Sequence, residues 1–363
     1  VNNSTRPTRN DRPLRWRVLA SAVVSVLILF LLWWIVSSGE QLKDARTITV
    51  VLQNTSWWLA SFYILTTILQ TLLRALRYRS LLKAEENSPV PGVTFMFFVT
   101  LARNMFVDMV PARIGEASYI LMLNRAVHVP VSACLSTLFI SIVLDVMALA
   151  VLLITLVLAS IISASQSGIT LGHALLGTSV LVFVAVLLIY MAVPLSQWFS
   201  RMIEFTRIKI LQRFARFLIE VGMSIRRVQR REILSLTMAQ SIGIRVLKYS
   251  GLYILFIAVT TASFPEFSLL PWWQVLPAFI SAEAAASLPL PTFMSFGTYE
   301  GGGLLAFSIQ GFAAADIFIV MFVIHLISQV VDYTLGGLGL LGFFLQKGEK
   351  KVKVKGLLET GHE

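Results

Sequence analysis

Six apolar runs, each long enough to cross a bilayer, divide the chain at 18–36, 57–73, 131–162, 174–194, 233–262 and 317–345. A spanning helix needs about 20 mainly apolar residues. With 56% hydrophobic residues, 13% charged residues and a mean hydropathy of +0.78, too little polar surface remains for a soluble globule. The expected fold is therefore an all-α, polytopic membrane protein with six spanning helices. Two further apolar stretches, 92–110 and 272–288, end at proline-rich breaks and read as re-entrant or broken helices.

Charge placement orients the helices. Five Lys or Arg precede Val18, four lie between Arg74 and Lys83, nine between Arg201 and Arg231, and five between Lys347 and Lys355. With six crossings all four groups fall on one side, and the opposite loops hold only Lys43 and Arg46. Positive residues collect on the cytoplasmic face, so both termini are expected in the cytoplasm and the protein in the inner membrane. Residues 1–17 and 347–363 read as cytoplasmic basic tails around one membrane domain, 18–346. The run 18–36 follows a basic segment as a signal peptide would, but its length reads as a retained anchor. Within 195–231, apolar residues recur at helical spacing among arginines, as in a helix lying on the anionic leaflet. The net charge of +11 then reflects topology and lipid headgroups, not nucleic acid.

The two broken stretches echo one another. Met109-Val-Pro-Ala-Arg-Ile-Gly-Glu116 and Leu288-Pro-Leu-Pro-Thr-Phe-Met-Ser-Phe-Gly-Thr-Tyr-Glu300 each place proline, then glycine, then a glutamate before an apolar helix. An aspartate follows within a long apolar segment, Asp145 in the first case and Asp332 in the second. Three crossings separate the breaks, so the halves, about 57–162 and 233–345, read as an inverted repeat; the other reading is ordinary helices kinked by Pro and Gly. Both glutamates begin a helix, where exposed N–H groups favour a carboxylate; they are read either as caps or as symmetry-related stations for an amine headgroup or a proton.

Polar residues inside apolar segments are the candidate site. An Arg or Asp at the helix centre costs about 2.5 to 3.5 kcal/mol on insertion scales, so such residues face a cavity or a partner. Thr66, Gln70, Arg74 and Arg77 share one helical face, whose cationic end can hold lipid phosphate or act as a snorkelling anchor. Arg103, Asn104 and Asp108 interrupt the first broken stretch. Arg103 with Asp108, and Arg113 with Glu116, are read either as internal pairs or as arginines placed on a phosphate. Asp145 lies on a stripe with Thr137 and Ser141, Arg245 and Lys248 on one with Ser241, and His325, Gln329 and Asp332 form a third. These stripes offer a proton or headgroup path, or a packing device in which Asp145 or Asp332 neutralises Arg245 or Lys248.

The segment from Arg74 to Leu82, the Pro111 to Glu116 run, Asp145, Gly297, Glu300 and the glycine-rich last helix together resemble the lysylphosphatidylglycerol synthase transmembrane-region family, over nearly the whole membrane part. The resemblance implies a flippase-like membrane domain. Two positions depart from the family pattern: Ile142 stands where an arginine is common, and His325 where another basic residue is. The soluble aminoacyltransferase domain of the fused synthases has no counterpart here, since the longest polar stretch between apolar runs is 195–231.

Catalytic signals are sparse. Cys134 is the only cysteine, the four histidines lack metal-ligand spacing, and Gly301-Gly-Gly303 lacks the Lys and Ser or Thr of a phosphate-binding loop. No cofactor or metal is expected. The chain is read as a flippase or transporter for an anionic or aminoacylated phospholipid or a lipid-linked phosphate. Its partners would be membrane lipids and a second copy of itself or a separate lipid-modifying synthase. The alternatives are a membrane-embedded enzyme acting on a lipid-linked phosphate, with Glu116 or Glu300 as acid or base, and a non-catalytic partner of such a synthase.

Overall fold

The computed structural model describes residues 23–31, 34, 48–85, 88–109, 115–163, 233–288, 290 and 292–359. They form helices α1 (23–31), α2 (Ile48–Asn54), α3 (Trp57–Ala84), α4 (Val93–Met109), α5 (Ala117–Val127), α6 (Val131–Ser163), α7 (Ile233–Ser263), α8 (Pro265–Ser268), α9 (Trp272–Ala286), α10 (Thr298–Ile309) and α11 (Ala314–Glu359). No strand occurs among them. Four helices are long and apolar enough to cross a membrane: Trp57–Ala84, Val131–Ser160, Ile233–Ser263 and Ala314–Gln346. They coincide with the second, third, fifth and sixth apolar runs. The first run is described only in part, and the runs and loop within 164–232 lie outside the described residues, as does Arg113.

Length separates spanning from non-spanning helices. The 28 residues of α3 extend about 42 Å at 1.5 Å per residue, more than the roughly 30 Å hydrocarbon core. The 17 residues of α4 reach about 25 Å and the 15 of α9 about 22 Å, so both stop short. Each is followed in the chain by a shorter helix, α4 by α5 and α9 by α10. The second break carries Met294 at φ 55°, Ser295 at φ 59° and Gly297 at φ 91°. The first two occupy a region that L residues adopt at a cost. They are held there in part by α1, whose Ser25 hydroxyl accepts the Phe293 N–H at 2.6 Å.

α11 is the spine of the assembly and the most buried span. Its C-terminal half takes α4, whose Phe95 meets Phe343, while its N-terminal half takes α10. Glycine permits both approaches. A Cβ on Gly339 would lie 2.8 Å from the Ala102 nitrogen and 3.0 Å from the Phe98 carbonyl oxygen, both of them backbone atoms of α4. Gly336 and Gly342 continue that contact against Met105 and Phe98. In the second broken element the glycine sits within the element itself: a Cβ on Gly302 would lie 2.6 Å from the Ser281 oxygen of α9. The small residues of the last helix thus serve close helix contact.

Two apolar clusters leave a gap between them. One gathers Phe256, Phe279, Phe307 and Ile324; the other Tyr78, Met96, Tyr119 and Leu123. On α3 the first reaches Tyr63 and the second starts at Ala75. Outward, Trp58, Phe62, Leu158, Leu338 and Phe344 are exposed, as suits side chains that face lipid.

Candidate functional site

The gap is a polar cavity of about 470 Å³. Gln70, Asp145, Lys248 and Gln329 all line it, and each lies within one residue of the middle of its spanning helix. Each spanning helix thus presents a polar side chain to the cavity near its own midpoint. The two shorter pairs of helices reach it as well: Arg103, Asn104 and Asp108 of α4 with Glu116 before α5, and Glu283 of α9 with Ser287 and Ser295 after it and Tyr299 of α10.

Nine of the twelve residues singled out from sequence line this one space: Arg74, Arg103, Asn104, Glu116, Asp145, Arg245, Lys248, His325 and Asp332. Arg77 and Glu300 stand behind its wall with fully buried side chains. Arg113 lies outside the described residues.

The pairing differs from what spacing suggests. Arg77 donates to both oxygens of Asp145, at 2.6 and 3.1 Å, and to Ser241 at 2.7 Å. A guanidinium without exposure needs such a set, because an unpaired buried charge is strongly destabilising. Arg77 is thus no surface anchor but the counter-ion of the helix aspartate, and Asp145 makes no direct ion pair with Arg245 or Lys248. Arg103 pairs with Glu116, not with Asp108: its Nε donates at 2.8 Å and its Nη2 to the other oxygen, a bidentate fork. Those two bonds engage both oxygens of Glu116, the carboxylate expected to meet Arg113. Tyr78 lies between Arg77 and Arg103, each guanidinium under 6 Å from the ring centre, a favourable place for a cation.

Glu283 is the residue that sequence reasoning passed over. It takes Lys248 at 2.7 Å, Arg245 at 3.8 Å and the Tyr249 hydroxyl at 3.1 Å. As the only ionisable residue between Trp272 and Leu288, it carried the same signal that marked Arg103 and Asp145.

The two glutamates at the helix starts are unlike. Glu116 makes no side-chain cap bond to α5 and faces the cavity through Arg103. Glu300 accepts the Gly297 N–H at 2.6 Å and meets His325 Nδ1 at 2.6 Å. His325 is stacked on Tyr299 and packed beside Phe296, and its Nε2 faces the Gln329 amide nitrogen at 3.0 Å.

Once these pairs are drawn, three charged groups of the cavity have no ion-pair partner among the described residues. Arg74 donates only to the Asn104 side-chain oxygen, at 2.9 Å. Asp108 and Asp332 lie within electrostatic reach of each other and of Lys248. The site can therefore present one guanidinium to a phosphate and two carboxylates to a cationic or hydrogen-bond-donating group. Among the described residues no group of three or more His, Cys, Asp or Glu is placed to hold a metal.

No curated protein and no solved structure shows significant similarity to the chain. Residues 18–336, which take in three of the four spanning helices, the start of the fourth and every charged residue that lines the cavity, match the family model described as "Lysylphosphatidylglycerol synthase TM region". The chain belongs to that family and is a multi-pass membrane protein tied to lipid modification or transport.

Proposed function

We propose that the protein moves a phospholipid with an anionic or aminoacylated headgroup, or a lipid-linked phosphate, between the leaflets. The observation that carries this reading is the mid-span cavity with Arg74 unpaired inside it. A charged headgroup needs a polar resting place halfway across, and a guanidinium held without a carboxylate is suited to a phosphate. The two broken helices are read as re-entrant hairpins of an inverted repeat: α4 packs on one half of α11 and α10 on the other, and both end at the cavity. With the termini and the loop 195–231 cytoplasmic, the first hairpin enters from the cytoplasmic leaflet and the second from the outer one. A second copy or a lipid-modifying synthase remains the proposed protein partner.

The enzyme reading gains less support. A general acid or base needs a carboxyl edge free to meet the substrate. Both oxygens of Glu116 are held by Arg103, and both of Glu300 by Gly297 and His325.

The test is reconstitution into vesicles with chain-labelled lipids that differ only in headgroup, followed by chemical quenching of the outer leaflet. Faster equilibration of phosphate-bearing lipids than in protein-free vesicles is expected, with no change in their chemical identity. Chemical conversion without movement would favour the enzyme.

A further inference from the structure

The pair of Glu300, behind the cavity wall, and His325, in it, has a use that headgroup binding alone does not require. Glu300 is a carboxylate with no solvent exposure, and among the described residues its one side-chain contact able to carry positive charge is His325, itself 2% exposed. Tyr299 and Phe296 hold the imidazole between them, an environment that accepts a cation on its aromatic faces. Both features suit an imidazolium.

The other ring nitrogen tells of the neutral form. With Nδ1–H donated to Glu300, Nε2 is a lone pair, and it accepts from the Gln329 amide nitrogen at 3.0 Å. In that orientation the Gln329 oxygen, buried in a residue that is 8% exposed and lines the cavity, has no hydrogen-bond partner. Half a turn of the amide exchanges the two ends. The oxygen would then meet Nε2, which suits it only if Nε2 carries a proton, and the NH₂ would take the oxygen's former place. One side chain thus has two orientations, each matched to one protonation state of the ring.

We infer that lipid movement through this protein is coupled to protons, with His325 Nε2, backed by Glu300, as the proton's seat and the Gln329 amide as its link to the cavity. The inference rests on the transport reading and adds the coupling ion. A proton from water in the cavity adds to the Nε2 lone pair; the imidazolium balances Glu300, and the Gln329 amide turns. The cavity wall loses an acceptor and gains a donor. The titratable groups facing His325 are Glu300 and Tyr299 on α10, Asp108 on α4 and Asp332 two turns along α11, with Lys248 and Glu283 across the cavity. Asp108 and Asp332, which line the same cavity and have no ion-pair partner among the described residues, can receive the new donor directly or through a headgroup.

Vesicles holding the full chain are given a chain-labelled phosphatidylglycerol and a gradient of one pH unit, with the membrane potential clamped by potassium and valinomycin. The readout is the steady-state distribution of label between leaflets, which does not depend on rate. One proton per lipid drives an asymmetry of up to about tenfold per pH unit. The parent should approach that ratio, and a pH-sensitive dye inside should report proton entry with the lipid. Gln329→Met, which keeps the side chain's length and removes the amide, should relax to equal leaflets under the same gradient, as should His325→Gln. Lipid that moves in the parent but settles equally between leaflets overturns the inference and leaves transport standing. Full asymmetry in folded Gln329→Met or His325→Gln also overturns it. Movement no faster than in protein-free vesicles overturns transport and coupling together.

Discussion

The two broken elements solve one problem with different residues. α4–α5 approaches α11 closely because the glycines are on α11, at Gly336, Gly339 and Gly342. In α9–α10 the glycines belong to the element, Gly302 against α9 and Gly303 against Met321 of α11. The glutamates diverge likewise. Glu116 is tied to a guanidinium and looks into the cavity, whereas Glu300 is tied to backbone and to an imidazole, and is sealed off. Backbone proximity and a neutralised carboxylate recur in both, while the residues that supply them do not. A likeness at that level leaves only a faint echo in sequence.

The largest effect should come from the first half's buried pair. Arg77→Ala strands Asp145 and is expected to lose about 3 to 5 kcal/mol, read by unfolding in detergent. The double change Arg77→Met with Asp145→Leu should recover most of it. An equal loss in single and double variants would mean that the pair's partners, not the pair, carry the stability.

Next come the glycines, which ask whether the two elements are held alike. Gly339→Ala and Gly302→Ala each push a Cβ into backbone and should cost about 1 to 3 kcal/mol, whereas Gly337→Ala, which meets nothing within 4 Å, should stay within about 0.5 kcal/mol. A neutral Gly302→Ala beside a costly Gly339→Ala would break the parallel. The smallest effect is expected at the break itself. Ser25→Ala removes the hydroxyl that receives the Phe293 N–H and should cost about 1 kcal/mol, a loss that differential scanning fluorimetry would register as a small fall in the unfolding temperature.

The glutamates sharpen the comparison in function. Glu116→Gln should slow lipid movement with or without a pH gradient, since it frees Arg103 inside the cavity; Glu300→Gln should chiefly abolish gradient-driven asymmetry. The same vesicle assay reads both. Identical behaviour of the two variants would restore the picture of equivalent stations.

Much of this was legible in the residues. Apolar runs located four described spans, and the cost of a charge in lipid pointed to Arg74, Arg103, Asp145, Lys248 and Asp332, which share one cavity. Helical spacing says which residues share a face; it does not say which face another helix presents. For that reason Arg77 found Asp145 and Arg103 found Glu116 across the bundle, and neither partnership could be read from intervals of three and four. Glu283 carried the right signal alone in its stretch, without a neighbouring polar residue to complete a stripe. The same limit applies to the glutamates, because a Gly then Glu pattern reads as a cap, and only the fold separates Glu300, which does bond the break's backbone, from Glu116, which does not.

The transport we propose depends on a phosphate seated at Arg74 in the cavity. The most direct measurement is lipid movement per folded molecule in vesicles holding Arg74→Ala beside the parent, with unfolding curves recorded on the same preparations. Arg74 has no carboxylate to strand, so stability should change little, while loss of a charged hydrogen bond to the headgroup should slow movement about tenfold or more. Parental movement by folded Arg74→Ala would contradict the claim.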